Sequence, residues 1–181
     1  MNFEEFDLEE VMFHIDRLNT KCHSVSFTGG EPLLQADFLS ELLPACKKKG
    51  ISTYLETNGI CFRQLKKIIH DIDIIAMDMK MPSSAKCRPL WYEHKEFLQI
   101  AKNKEFFVKT VVSNDTQEED IIKVVDLLEE VNEEVLLILQ PNTFELSEGV
   151  IKKCYQFLNV SLNRLNQVRV MPQMHKLLGV R

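Results

Sequence analysis

The stretch SVSFTGGEPLL, residues 24–34, decides the fold of this chain. It opens with residues that favour a short strand and continues into a turn that contains the paired glycines Gly29 and Gly30. Pro32 fixes the exit from this turn, and a run with helical apolar spacing follows over residues 37–49 and stops at Gly50. The stretch therefore predicts a strand–loop–helix unit.

The same alternation covers the rest of the chain. Apolar patterning predicts strands at residues 24–27, 52–56, 72–77, 105–112, 134–139 and 167–170, and helices at residues 7–18, 37–49, 62–69, 92–102, 117–130 and 147–158. Pro44 either kinks the second helix or marks its first turn. Strands that alternate with helices run parallel through right-handed crossovers, so we expect one α/β domain over residues 1–181.

The loops at the two ends of the predicted strands differ in character. Those that follow the strands read TGGEP, TNG, DMKMPSS, SNDT, QPNT and PQMH, whereas those that precede them, such as KKKGI and HDID, are plainer. Ligands of parallel α/β folds bind at the carboxyl ends of the strands. A single loop of this kind is adequately explained by turn formation, but several on one edge favour a functional site.

Composition excludes several classes of function. The 181 residues are 45% hydrophobic with a net charge of −5 and no long basic run, which argues against a direct nucleic-acid partner. The start is acidic without a leader-like apolar core, and no apolar stretch reaches membrane-spanning length, so we expect a cytoplasmic protein without a membrane partner. The five cysteines are scattered without a CxxC pair, so we assign no metal ligand.

The residues of the loops suggest their own chemistry. Paired glycines allow a ligand to approach the backbone, and Glu31 offers a carboxylate suited to an ammonium group. Asp78 and Lys80 point to the same side and form either a surface pair or a site in which Lys80 neutralises a ligand carboxylate. His175 stands alone, and a lone histidine is more often structural or solvated than catalytic.

The ordered set of TGGEP, ETNG and MDMKMPSS resembles the radical S-adenosylmethionine (SAM) enzymes, which include glycyl-radical-enzyme activases and 7-carboxy-7-deazaguanine synthases. The later segments VKTVVSNDT, LQPNT and VRVMPQMHKLLGVR are similar to the synthases. The resemblance covers roughly residues 20–181. It implies an incomplete, open (β/α) barrel with five core parallel strands and an added C-terminal strand.

The resemblance also implies site residues. The SAM-binding positions would be Gly29, Gly30, Glu31, Asp78, Met79, Lys80, Gln140, Pro141, Asn142 and Thr143, and the substrate-side positions would be Thr28, His175 and the C-terminal Arg181. Neither the resemblance nor the residue pattern names a catalytic side chain.

The chain departs from the family pattern before the TGGEP strand. The family places a CxxxCxxC loop there to ligate three irons of a [4Fe–4S] cluster, but only Cys22 precedes Thr28 in this sequence. We therefore expect a chain that lacks the first strand and the cluster loop and that does not bind the cluster by itself. The Mg²⁺ ion that the intact family can use would lose its ligand as well.

The expected reaction is the family's. SAM is cleaved reductively, and the resulting radical converts 6-carboxy-5,6,7,8-tetrahydropterin into 7-carboxy-7-deazaguanine, a precursor of deazapurine tRNA nucleosides such as queuosine. The expected partner is thus a small pterin-like molecule, and the missing strand suggests a homodimer. Two alternatives stay open, namely a glycyl-radical-enzyme activase and a non-catalytic remnant of the SAM-binding fold.

Overall fold

The computed structural model describes residues 5–18, 22–177 and 179. Within these ranges, a single parallel sheet runs in the order β1-β2-β3-β4-β5-β6. The strands are β1 (Val25–Phe27), β2 (Thr53–Thr57), β3 (Ile74–Asp78), β4 (Glu105–Val112), β5 (Leu136–Pro141) and β6 (Val168–Val170). Because β1 and β6 lie at opposite edges, the sheet stays open.

Helices connect the strands. They are α1 (Leu8–Leu18), α2 (Ala36–Lys48), α3 (Phe62–Ile68), α4 (Pro82–Ala85), α5 (Trp91–Ala101), α6 (Glu118–Val131), α7 (Glu148–Leu162) and α8 (Met174–Leu177). Short 3₁₀ turns follow the loops after β1 and β5 at Pro32–Gln35 and Thr143–Glu145, and another, Ile69–Asp71, follows α3. This is the open α/β architecture that the sequence predicts.

The two faces of the sheet differ in what covers them. On β2, Leu55 is buried together with helix residues in one hydrophobic core, and Met77 and Val108 join it from the neighbouring strands. The residues between them, such as Tyr54 and Glu56, are only half-buried and lie on the opposite face. Because side chains alternate along a strand, the helices cover one face and leave an inner face that carries both apolar and charged side chains.

The sequence-based bounds agree with these elements to within a few residues at most of the ends. The expectation that Pro44 lies in a first turn is wrong, because α2 begins at Ala36 and Pro44 is in its interior. Residues 174–177 form α8, which the sequence did not predict. No helix of the described part of the chain is long and apolar enough to cross a membrane.

Candidate functional site

A polar cavity of about 260 Å³ opens at the carboxyl ends of β1, β2 and β3. Its lining consists of Thr28, Gly29, Gly30, Glu31, Glu56, Thr57, Asn58, Asp78 and Lys80. Three loops that the sequence analysis singled out therefore meet at one place. Ligand pockets typically measure roughly 300–1,000 Å³, so this cavity suits one end of an extended ligand.

The two glycines shape this cavity in different ways. Gly29 has a φ of +134°, which L-residues with a side chain rarely adopt. Gly30 has no such constraint, and a Cβ added to it would meet no atom within 4 Å. The space beside Gly30 is thus open for a ligand rather than filled by protein.

Glu31 lines the cavity and connects two of its loops. Its Oε1 accepts hydrogen bonds from the Leu33 N–H at 3.1 Å and from the Thr57 hydroxyl at 2.8 Å, and its Oε2 accepts one from the Asn58 N–H at 2.8 Å. The carboxylate therefore ties the loop after β1 to the loop after β2. Its predicted contact with a ligand ammonium group stays a prediction.

Asp78 and Lys80 form the opposite wall. The Lys80 ammonium donates to Asp78 Oδ2 at 2.6 Å, which establishes the pair that the sequence left open. Asp78 Oδ1 is buried and has no hydrogen-bond partner among the described residues. A buried carboxylate oxygen without a donor is costly, so the Asp78 carboxylate has acceptor capacity that the described residues do not use.

Glu56 and Lys109 were not predicted as residues of the site. Their side chains form an ion pair across the inner face, next to the Asp78–Lys80 pair. Glu56 belongs to the quoted ETNG segment and Lys109 to the VKTVV segment, so strand alternation from Asp78 would have placed them on the same face. The cavity wall thus carries two ion pairs.

Met79 lies outside the cavity. It is fully buried in the core, its N–H donates to the Lys109 carbonyl, and its carbonyl accepts from the Thr110 hydroxyl. Its assignment as a SAM-binding residue stays a prediction. Both of its main-chain polar groups already have partners within the protein.

The segment Gln140–Thr143 covers the last two residues of β5 and the start of the loop after it, two strands away from the wall formed by Asp78. Asn142 caps the next turn by accepting from the Phe144 N–H at 3.1 Å. The Thr143 hydroxyl contacts Gln173 Oε1 at 3.0 Å, which connects this segment to the PQMHK segment near the C-terminus. These predicted SAM-binding residues thus lie at the same carboxyl end of the sheet as the cavity but do not line it.

Two of the three predicted substrate-side residues cannot be placed. The side chain of His175 and the whole of Arg181 lie outside the described residues. Thr28 lines the cavity next to Gly29, and its assignment to the substrate side stays a prediction.

His94 was not predicted as part of the site. It lies in the first turn of α5, is fully buried, and neither of its ring nitrogens has a hydrogen-bond partner within the described residues. Burial lowers the pKa of His94 to about 4, although the Asn58 main chain and the carboxylates of Glu93 and Asp78 favour the charged form. Only the fold brings this helix residue near the loop after β2, so no sequence signal marks it.

The cysteines do not form a cluster site in the described part of the chain. Cys46 and Cys154 are buried, Cys22 is exposed, and Cys61 and Cys87 are half-buried. Burial and the Glu31 carboxylate both raise the pKa of Cys61, which disfavours the thiolate that iron requires. No group of three or more metal-binding side chains occurs among the described residues, so they do not fit a [4Fe–4S] cluster.

The residues do fit one end of SAM. The open space beside Gly30 suits close approach to the backbone, the Asp78 carboxylate suits an ammonium group, and Lys80 suits a carboxylate. An amino acid moiety carries both of these charged groups.

Comparisons with known proteins agree with this geometry. The model of the radical SAM superfamily matches residues 2–128. The chain is 39% identical to a 7-carboxy-7-deazaguanine synthase of Geobacter sulfurreducens over 158 residues, which are 86% of this chain and 63% of that protein. It is 30% identical to the synthase of Methanocaldococcus jannaschii, with 98% of this chain and 76% of that protein covered. The chain thus spans less than two thirds of the first of these relatives.

Solved structures share the fold. A domain of a pyruvate-formate lyase-activating enzyme from Bacteroides vulgatus matches with a TM-score of 0.65 at 21% identity, over 82% of this chain and 98% of that one. Archaeal TYW1 matches with a TM-score of 0.58 at 22% identity, over 85% of this chain and 58% of that one. With the matched family model, the ordered motifs and the open parallel sheet, the chain belongs to the radical SAM superfamily and, within it, is a homologue of the 7-carboxy-7-deazaguanine synthases.

Proposed function

We propose that this chain provides the SAM-binding wall of a 7-carboxy-7-deazaguanine synthase, whose substrate is 6-carboxytetrahydropterin. The observation that carries the proposal is the cavity at the ends of β1, β2 and β3, where the Gly30 backbone, the Asp78 carboxylate and Lys80 meet. The relatives that bear the synthase name support the choice of reaction.

The roles of the chain's own residues follow from their chemistry. Gly29 and Gly30 present backbone groups to the amino acid end of SAM, Asp78 accepts from its ammonium group, and Lys80 pairs with its carboxylate. When bound and reduced by one electron from a [4Fe–4S] cluster, which the described residues do not hold, SAM would supply the group that abstracts a hydrogen atom from the pterin. Glu31 keeps the first two loops in place so that this end is held in one orientation.

The glycyl-radical-enzyme activases are the second candidate. A (2S)-3-sulfopropanediol dehydratase activating enzyme of Klebsiella oxytoca is 26% identical over 68% of this chain, but this match covers only 37% of that protein. The synthases match more of the chain at higher identity, so they are the better guide to the substrate.

SAM binding tests the site directly. Gly30→Val should leave the thermal stability unchanged, because the added side chain meets open space, and should abolish binding by filling that space. Lys80→Ala should weaken binding about tenfold or more, the loss expected for a hydrogen bond to a charged group of roughly 1.5–3 kcal/mol. Calorimetry with SAM checks both variants.

Gly149→Ala, in α7 and far from the cavity, is the matched control and should bind SAM as the unmodified chain does. A SAM affinity that neither Gly30→Val nor Lys80→Ala changes would contradict the proposed site. Addition of 6-carboxytetrahydropterin to the SAM-saturated chain then tests the substrate, since absence of pterin binding would favour the activases.

A further inference from the structure

The loop after β2 holds the cavity together through main-chain groups. The Asn58 N–H donates to Glu31, the Gly59 N–H donates to the Thr57 hydroxyl at 3.2 Å, and the Ile60 N–H donates to Asn58 Oδ1 at 3.0 Å. Together these bonds require the backbone around Asn58 to keep one conformation. All three partners lie in the loops after β1 and β2 or at the end of β2, and none of them belongs to a helix.

His94 is the polar side chain that approaches this peptide from the helix layer. Its ring is fully buried beside the indole of Trp91, with 6.2 Å between the ring centroids in an edge-to-face arrangement. The Asn58 main chain lies near enough to the ring to raise its affinity for a proton, although neither nitrogen meets the distance and angle of a hydrogen bond.

A histidine without hydrogen-bond partners is unfavourable at this buried position. A buried polar ring without a partner is destabilising, and an apolar residue of similar shape would avoid that loss. Buried polar groups are normally paired, so an unpaired one requires an explanation. A core role alone does not explain His94, since its neighbours Phe97 and Leu98 fill the same core with apolar side chains.

We propose that His94 is a positioning residue, whose ring N–H donates to the Asn58 carbonyl and thereby fixes the Asn58–Gly59 peptide, which directly follows the Asn58 N–H that holds Glu31. This contact connects α5 to the loop after β2 and, through Glu31, to the loop of Gly29 and Gly30. The effect on SAM affinity rests on the proposed function, but the effect on the loop does not.

Residue-resolved amide hydrogen exchange by NMR on the free protein tests the inference. In His94→Leu, the Asn58 and Gly59 amides should exchange about tenfold faster or more, because their local opening becomes easier. The melting temperature should change little, since the substitution removes one hydrogen bond to the Asn58 carbonyl but also removes the second, unpaired ring nitrogen from the core. His94→Gln, which keeps a side-chain N–H donor, should restore part of the slow exchange.

Leu98→Ala is the matched control on the same helix. It creates a cavity in the core and should lower the melting temperature without selective acceleration at Asn58 and Gly59. Equal acceleration in His94→Leu and Leu98→Ala, or none in either, would overturn the inference. In the unmodified protein, the ¹⁵N shifts of the His94 ring should show a neutral imidazole with one hydrogen-bonded N–H, and two free ring nitrogens would also overturn it.

SAM affinity gives the second measurement. His94→Leu should bind SAM about tenfold more weakly, and His94→Gln should recover part of the loss. If the unmodified chain does not bind SAM, the proposed function fails while hydrogen exchange still decides the role of His94. If SAM binds the unmodified chain and His94→Leu equally well, the inference fails while the proposed function stands.

Discussion

Gly59 shows how closely a single residue of the site is fitted. Its φ is +70°, and a Cβ at this position would lie 2.3 Å from Met77 Cε and 2.8 Å from Met77 Cγ. Backbone conformation and packing thus both select glycine directly behind the cavity. Turn formation, which is enough to explain any single loop such as TNG, accounts for the φ of Gly59 but not for its contact with Met77.

We expect Gly59→Ala to destabilise the protein by on the order of 2–4 kcal/mol, because the strain of a positive φ adds to the overlap with Met77. Urea unfolding measures this loss. Gly149→Ala, whose added Cβ would come no closer than 3.8 Å to another atom, should instead be neutral or stabilising. Equal effects of the two substitutions would contradict the packing argument.

At the scale of the elements, the sequence predicts the architecture better than the site. Leu55 and Val108 alternate with half-buried residues on their strands, and this period is legible without a structure. Glu31 instead finds its partners in Thr57 and Asn58, which are remote in sequence and become neighbours only when β1 pairs with β2. His94 escapes prediction for the same reason.

The bounds of β3 illustrate a local limit of prediction. The sequence analysis began this strand at residue 72, whereas β3 begins at Ile74. Directly before the strand, the Asp73 N–H donates to the Thr53 carbonyl, and the Asp73 carboxylate accepts from the Thr53 N–H at 2.9 Å and pairs with Lys47. The apolar pattern of the sequence alone does not reveal this boundary.

This contact at the start of β2 and β3 predicts a dependence on acid. Burial opposes ionisation, but the Lys47 ammonium and the Thr53 donors outweigh it and hold the pKa of Asp73 below its ordinary value of 3.8. The contact therefore stabilises the fold above pH 3.8, and this contribution is lost as the pH falls below that value through the lowered pKa.

Asp73→Asn should thus be less stable than the unmodified protein at pH 7, and the difference should shrink towards pH 3. Urea unfolding at a series of pH values measures both curves. Asp37→Asn removes an exposed carboxylate from α2 and serves as the control with little effect. A difference that stays constant across the series would show that the Asp73 charge is not the cause.

At the scale of the whole molecule, the open edge of the sheet is the dominant feature. β1 pairs only with β2 among the described strands, and Ser26 at its centre is exposed. Unpaired N–H and C=O groups on such an edge favour pairing with another chain. The sequence analysis expected this exposed edge and, with it, a homodimer, and self-association remains a prediction.

We expect sedimentation velocity to show a species larger than the monomer whose fraction rises with protein concentration. Ser26→Lys places a charge on the edge and should shift the distribution towards the monomer. Gln156→Lys, on the exposed face of α7, adds the same charge elsewhere and should leave the distribution unchanged. A protein that stays monomeric at high concentration would contradict the edge argument.

The order of the strands has a consequence for how the chain reaches its fold. Every strand from β2 to β6 pairs with the strand that directly precedes it in the sequence. As the chain leaves the ribosome, each new unit of helix and strand from β2 onward therefore finds its partner already made, and among the described strands β1 alone waits for a first partner synthesised later. Folding can advance in the direction of translation, so the wall formed by β1, β2 and β3 takes shape while the second half of the chain is still being synthesised.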